Sequence, residues 1–240
     1  MVVLALTLTS WLSGLGQEFY RNFIFDDRYR WLLSGLWNTL QMTVFASLIG
    51  IMIGLVLSLI RVIHKSGAKI GTLNAFANIY ITVIRGTPVV IQILIIYFVI
   101  FSNVNASKLL VASLAFGINS GAYVAEIFRA GINSVDIGQA EAARSLGLPY
   151  SQSMRRVVLP QAVKNVLPAL FNEFITLLKE TSIAGYIAFT DLTRAGDNIR
   201  TLTFSAMPLL MVAAIYLTVV LVMTYFLRRL ERRLASSDRG

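Results

Sequence analysis

The sequence predicts an all-α, polytopic membrane protein with five transmembrane helices, and three observations carry that prediction. Hydrophobic residues fill 56% of the 240 positions and charged residues 14%, against roughly 25% charge in a soluble domain. Long apolar runs recur along the chain, separated by short polar segments, as hydrocarbon-spanning helices require. The basic residues, which leave a formal charge of +9, crowd at the ends of those runs, where the positive-inside rule places them. That placement explains the charge through membrane lipid and gives no reason to invoke nucleic acid. Cysteine is absent, which excludes disulfides and thiolate chemistry. The lone histidine, His64, sits beside Lys65 in a basic segment and reads as a surface residue.

Residues 1–33 read as an extracytoplasmic N-terminal segment. Its apolar stretch, Met1 to Leu15, is interrupted by Ser, Thr and Gly and follows no positive n-region, unlike a signal peptide. It also falls short of the ~20 apolar residues that a span needs, so an interfacial helix is expected, with Asp26-Asp27-Arg28-Tyr29-Arg30 in water. The first span is expected over Thr39–Ile60, closed by Arg61, His64, Lys65 and Lys69, with Gly50 and Gly54 forming a small-residue face. Thr72–Phe101 follows; as one straight helix it would be roughly 45 Å long, against a ~30 Å hydrocarbon core. Arg85-Gly86-Thr87-Pro88 should break it, because Pro88 removes a backbone donor and disfavours helical geometry at Thr87. Arg85 is available to satisfy the carbonyls so freed.

The third span, Leu109–Arg129, carries Gly117 and Gly121 for close packing. Asn119, Tyr123 and Glu126 fall within about 60° of one another on it, Glu126 within i,i+3 reach of Arg129. The fourth, Gln161–Phe189, would hold Asn172, Glu173, Lys179 and Glu180 at membrane depth, a costly placement unless they are paired or hydrated. Orientation argues for counting it. The basic segments Arg61–Lys69, Arg144 with Arg155 and Arg156, and Arg228 to Arg233 share one side of the membrane only if the chain crosses five times. Asp191–Ala206 then forms an outer loop and Met207–Leu227 the fifth span. The N-terminus lies outside, and the tail, 235–240, is cytoplasmic.

Between the third and fourth spans lies a polar, punctuated stretch. Asp136 and Gln139 form a capping-box pattern, so a helix should begin near Ile137. Ala140, Ala142 and Ala143 keep that helix slim, and Gly147 is placed to end it in the left-handed region. Pro149 can open a second short helix, which Pro160 closes or kinks. The expected result is a compact helix–turn–helix knob, with Glu141 and Arg144 spaced as an exposed i,i+3 pair.

The residues Gly138-Gln139-Ala140-Glu141-Ala142-Ala143-Arg144-Ser145-Leu146-Gly147, followed by Leu159-Pro160-Gln161-Ala162, resemble the EAA loop of permease subunits in ATP-binding-cassette importers. Among these, the chain looks most like the polar amino acid uptake family, which includes histidine, glutamine and arginine permeases. Arg85-Gly86-Thr87-Pro88 with Gln92 resembles the same family. The resemblance implies a MetI-like, type I importer permease domain over 34–234 in the inner membrane, with the coupling loop at about 136–160. It further implies that Gly138, Glu141, Ala142, Ala143, Arg144, Leu146, Gly147 and Pro149 meet a cytoplasmic ATPase. The implied partners are two such ATPases, a second permease subunit (identical or paralogous) and an extracytoplasmic binding protein that meets the outer loop at Asp191 and Arg194. ATP and Mg would be bound by the partner ATPase, with no cofactor in this chain.

On the fourth span, at ~100° per residue with Glu173 at the origin, Glu180 lies at about −20°, Thr176 at about −60°, Asn172 at about −100° and Lys179 at about −120°. One wet face on an apolar helix points to a hydrated path or substrate cavity; the competing reading is a buried polar network gluing helices together. A zwitterionic amino acid needs an acceptor for its ammonium, which Glu173 supplies. Its carboxylate needs donors, from Asn119, Gln92 or the amides at the Pro88 break. Tyr123, Asn172, Lys179 and Glu180 complete the candidate substrate-binding set. No Gly-x-x-x-x-Gly-Lys-Ser/Thr loop, metal-ligand spacing or Ser–His–Asp set occurs, so neither ATP hydrolysis nor enzymatic catalysis is expected here. The rival function is an ion-coupled carrier or channel for small polar solutes, using Glu173, Lys179 and Glu180 as ion or proton groups.

Overall fold

No charged residue interrupts the chain between Arg30 and Arg61, and the intervening polar residues, such as Ser34, Asn38 and Gln41, do not break helices. The computed structural model, which describes residues 14–236, accordingly forms one helix there, α2 (Tyr29–Lys65). It starts ten residues before the expected Thr39. Ahead of it, α1 covers residues 14–19 and runs into a π turn, Tyr20–Ile24. Asp26 and Asp27 then take left-handed conformations (φ 59° and 51°) that turn the chain into α2. Most of the apolar stretch expected as an interfacial helix lies outside the described residues.

α3 (Gly71–Gly86) and α4 (Val89–Ile95) follow, and α4 continues through a π turn, Ile96–Ile100. Thr87 and Pro88 are extended between them, and the two helices turn through 109° at this break. Next come α5 (Lys108–Asn133), capped by the Ser107 hydroxyl, then α6 (Ile137–Ser145) and α7 (Tyr150–Ser153). α8 (Leu159–Glu180) runs on into a 3-10 segment, Thr181–Ile187, and α9 (Leu192–Thr203) and α10 (Met207–Ser236) finish the chain. No strand occurs among the described residues.

The core is organised on α5. Its Gly117 and Gly121 face Ile49 and Ile53 of α2, while Gly50 and Gly54 of α2 face Ser120 and Val124 of α5. A Cβ added at Gly54 would stand 2.5 Å from the Val124 side chain, and one at Gly121 would stand 2.7 Å from Ile53. The two backbones therefore approach as closely as the small residues permit, and dispersion between them holds the pair. At one end of the seam Met42, Ile93, Phe116, Leu177 and Ile187 join α2, α4, α5 and α8. At the other, Leu57, Ala77, Ile81 and Ala125 join α2, α3 and α5. A third cluster, including Phe23, Leu32, Leu192, Ile199 and Val212, seats α9 on α2 and α10.

By length and composition α2, α5 and α10 can each cross a membrane, and the bent pair α3–α4 has the composition of either a broken span or a re-entrant loop. α8, at 22 residues, is long enough but more polar than these, carrying Gln161, Asn165 and Asn172 besides its charged residues.

Candidate functional site

Two adjacent residues of α5 point in different directions and tie the polar centre together. Asn119 is buried and donates from Nδ2 to Gln92 Oε1 at 3.0 Å. Gln92 in turn donates from Nε2 to the carbonyls of Ile84 (2.8 Å) and Thr87 (3.1 Å) and to the Thr87 hydroxyl (2.7 Å). These carbonyls border the Pro88 break. Gln92, rather than Arg85, is thus what satisfies them: a buried acceptor left bare would cost about 1–3 kcal/mol, and a side chain one turn past the proline reaches back most easily. Arg85 instead lies over the Tyr123 ring, 5.4 Å from its centroid, a cation–π contact.

The second residue, Ser120, donates to Glu173 Oε1 of α8 at 2.9 Å. Glu173 is only partly buried, and Ser120 engages one of its two oxygens, leaving the other for a ligand. Gln92, Asn119, Ser120 and Glu173 therefore gather α4, α5 and α8 at one level, with Tyr123 one turn further along α5 beneath Arg85. The rest of the expected polar stripe spreads away from it. Asn172 and Lys179 are exposed and Glu180 is half-buried, while Ile175, Leu177 and Leu178 fill the buried side of α8. No cluster of three or more His, Cys, Asp or Glu that could hold a metal occurs among the described residues.

Glu126, one turn beyond Tyr123, forms the expected pair with Arg129 (2.7 Å) and also binds Arg61 of α2, whose Nε and Nη2 both donate to Asn78 Oδ1 of α3. Sequence reading finds the local half of this network and misses the distant half, since partners 65 residues apart leave no periodic signal. Ser120 is likewise legible only as a small residue.

The knob forms as a helix–turn–helix. The Asp136 carboxylate caps α6 by accepting from Gly138 N at 2.7 Å. The reciprocal half of the box is missing, because the Gln139 side chain faces Gln161. Gly147 has φ +85°, its N–H bonds Arg144 O, and Leu148 N–H bonds Ala143 O. This is a Schellman turn, which a residue with a Cβ enters only under strain. Pro149 caps α7 from an extended conformation. Glu141, Ala142, Arg144, Gly147 and Pro149 are exposed, Gly138 flanks the capping carboxylate, and Leu146 is 85% exposed at the tip. Ala143 alone of the expected interface turns inward, and Glu141 and Arg144 form no ion pair among the described residues. Pro160 does not close the second helix. It sits in the first turn of α8, and its missing N–H coincides with a π turn, Met154–Val158, that carries α7 into α8 without a break.

Between α8 and α10 the chain folds as a helix rather than an open loop. Asp191 is fully buried, its carboxylate capping α9 through the amides of Thr193 (2.9 Å) and Arg194 (3.2 Å). Burial pushes that carboxyl above the ordinary aspartate range, while the two amides pull it back down. Thr39 accepts from Leu192 N and Asn38 donates to Thr190 O, which pins this cap to α2. Arg194 is exposed and faces Asp197 at 3.6 Å.

Residues 66–236 match the family described as the inner membrane component of binding-protein-dependent transport systems. The chain belongs to that family. This permease family supplies transport subunits rather than enzymes, with the ATPase on a separate subunit. Among curated relatives, the arginine transport system permease protein ArtQ of Bacillus subtilis is 40% identical over 213 residues, covering 86% of this chain and 94% of that one. The glutamine transport system permease protein GlnP of Escherichia coli K12 is 39% identical over 199 residues, with coverage of 81% and 90%. Among solved structures, a crystal structure of an amino acid ABC transporter with histidines matches with a TM-score of 0.80 at 43% identity, covering 88% of this permease and 98% of that chain. An inward-facing MetNI methionine ABC transporter matches with a TM-score of 0.73 at 23% identity, over 85% of this permease and 95% of that chain, a likeness of fold alone.

Proposed function

We propose that this permease carries a polar amino acid through the inner membrane, driven by a partner ATPase that docks on the α6–α7 knob. The observation that carries the reading is Glu173, a carboxylate partway along a largely apolar helix, half-buried and engaged through one oxygen only. A charge there is tolerated when it faces water or a ligand. Glu173 accepts the substrate ammonium; Tyr123 and Arg85 border the same level, and Gln92 and Asn119 hold the frame around it. Lys179, Glu180 and Asn172 line the exposed face along which substrate leaves or a second permease subunit packs.

In this reading the chain crosses five times, α8 included, with the N-terminus outside and the C-terminus in the cytoplasm. Two ATPases, which themselves bind ATP and Mg, sit against the exposed residues of paired knobs. A binding protein approaches α9 at Arg194, with Asp191 holding that helix in place from beneath. Closure of the ATPases pushes the knobs, and α8, which is continuous with α7, transmits the push to Glu173. Access to the site then alternates by a shift between two states.

Uptake by proteoliposomes holding the assembled complex tests this. Accumulation of an amino acid, screened over the common twenty, should follow ATP consumption and stop when the binding protein is omitted. Uptake driven by an ion gradient without ATP would instead favour a carrier. Gly147→Asp should uncouple uptake from ATP hydrolysis while the subunit still inserts, because the side chain strains the left-handed turn by about 1 kcal/mol and re-aims the knob tip.

A further inference from the structure

Beneath the knob, away from Glu173, lies a cavity of about 570 Å³ between the C-terminal ends of α2 and α5 and the helices α6 and α7. Its walls are apolar at Val62, Ile132 and Met154, and three cations converge on it, Arg61, Lys65 and Arg129. We propose that this cavity binds an anionic phospholipid, its phosphate on the three cations and its glycerol and first acyl carbons on the apolar wall. The proposal rests on the reading that the knob side of the chain is cytoplasmic.

Depth is the first argument. Arg61 is the first charge on α2 after Arg30, a stretch of about 45 Å at 1.5 Å per residue. It therefore stands where hydrocarbon gives way to headgroups, and Lys65 follows one turn later. Basic pockets between helices at that level attract anionic headgroups.

Charge is the second. The Glu126 carboxylate is spent between Arg61 and Arg129, and the Asp136 carboxylate caps α6. Arg61 is held by two hydrogen bonds to Asn78 (2.9 and 2.7 Å) and by Glu126, so its guanidinium is fixed in place before any ligand arrives. Arg129 uses Nε and Nη2 on Glu126 and keeps Nη1. Lys65 is exposed and has no hydrogen bond or ion pair among the described residues. The local balance stays positive, with donors unspent.

Size is the third. A free phosphate would leave most of the apolar wall against water, whereas a lipid covers it. Ile137, Ala140 and Tyr150 of the knob complete the lining, so a bound lipid would brace the knob against α2 and α5.

The test is thermal unfolding of the detergent-solubilised complex, titrated with short-chain phosphatidylglycerol, short-chain phosphatidylcholine or inorganic phosphate. Phosphatidylglycerol should raise the Tm of the wild type, and the other two should not. At about 1 kcal/mol per charge near the headgroup plane, Lys65→Gln should weaken the apparent affinity about five-fold and the reversal Lys65→Glu about thirty-fold. Among the described residues Lys65 has no partner to lose, so both variants should fold as the wild type does. Equal stabilisation by phosphatidylcholine, no stabilisation by phosphatidylglycerol, or an unchanged affinity in Lys65→Glu each overturns the proposal. Equal stabilisation by phosphate assigns the site to a soluble anion and overturns it too. The titration needs no ATP turnover, so failed uptake leaves it intact. A reporter fused after Gly240 that read external would overturn the transport topology and, with it, the cytoplasmic placement of the knob on which the proposal rests.

Discussion

α5 and α8 both carry polar residues through an apolar fold, yet they treat them in opposite ways. On α5, Asn119 ends on Gln92, Ser120 on Glu173, and Glu126 on two arginines. Each is answered by protein, and the helix is clamped along α2 by four glycines. On α8, Glu173 is half answered, Asn172 and Lys179 face outward, and Pro168 interrupts the hydrogen-bond ladder. Satisfied polar groups make a frame; unsatisfied ones make a working surface, because only they have capacity left for a ligand.

The sharpest way to break this comparison is Gly54→Leu. With Val124 only 2.5 Å from where the Cβ would stand, overpacking of about 3 kcal/mol should deplete the folded subunit, measured as the monodisperse fraction after extraction. Normal yield would show that the α2–α5 seam is not tight. Glu173→Ala should do the reverse. Uptake should fall about ten- to a hundred-fold, the worth of one contact to a charged group, while the complex stays assembled; unchanged uptake kinetics would remove Glu173 from the substrate path.

Gln92→Leu bears on the frame alone. It bares two carbonyls at the Pro88 break, so stability should drop by about 2 kcal/mol, and uptake per folded molecule should fall far less than in Glu173→Ala. A stable Gln92→Leu complex with abolished uptake would move Gln92 from the frame to the site. The smallest effect is expected for Lys179→Gln. An exposed lysine contributes under about 1 kcal/mol, so uptake should stay within about five-fold of wild type, and a larger loss would extend the working surface along α8.

Features written locally in the chain are legible in its sequence. Gly50, Gly54, Gly117 and Gly121 announce a close helix pair by spacing, Pro88 marks a break, and Gly147 sits where only a left-handed turn fits its neighbours. Contacts between distant segments are not legible in this way. Nothing near Arg61 points to Asn78 or Glu126, and nothing near Ser120 points to Glu173. Asp191 reads as an outer-loop acid open to a partner because the resemblance places that loop against a binding protein and no local spacing signals burial. Its burial comes from α2 arriving overhead with Asn38 and Thr39. Pro160 misleads for a related reason: a proline stops a helix only if the preceding turn cannot lengthen, and here a π turn lets it.

That π turn has a mechanical corollary. Helix runs unbroken from Tyr150 to Glu180, a rod of about 45 Å at 1.5 Å per residue, with its foot among the knob residues and Glu173 near its far end. No loop intervenes along that length, so displacement of the foot passes through helical turns, by way of the π turn and Pro168, and reappears as tilt further along. The proline that looked like a stop is part of a lever arm.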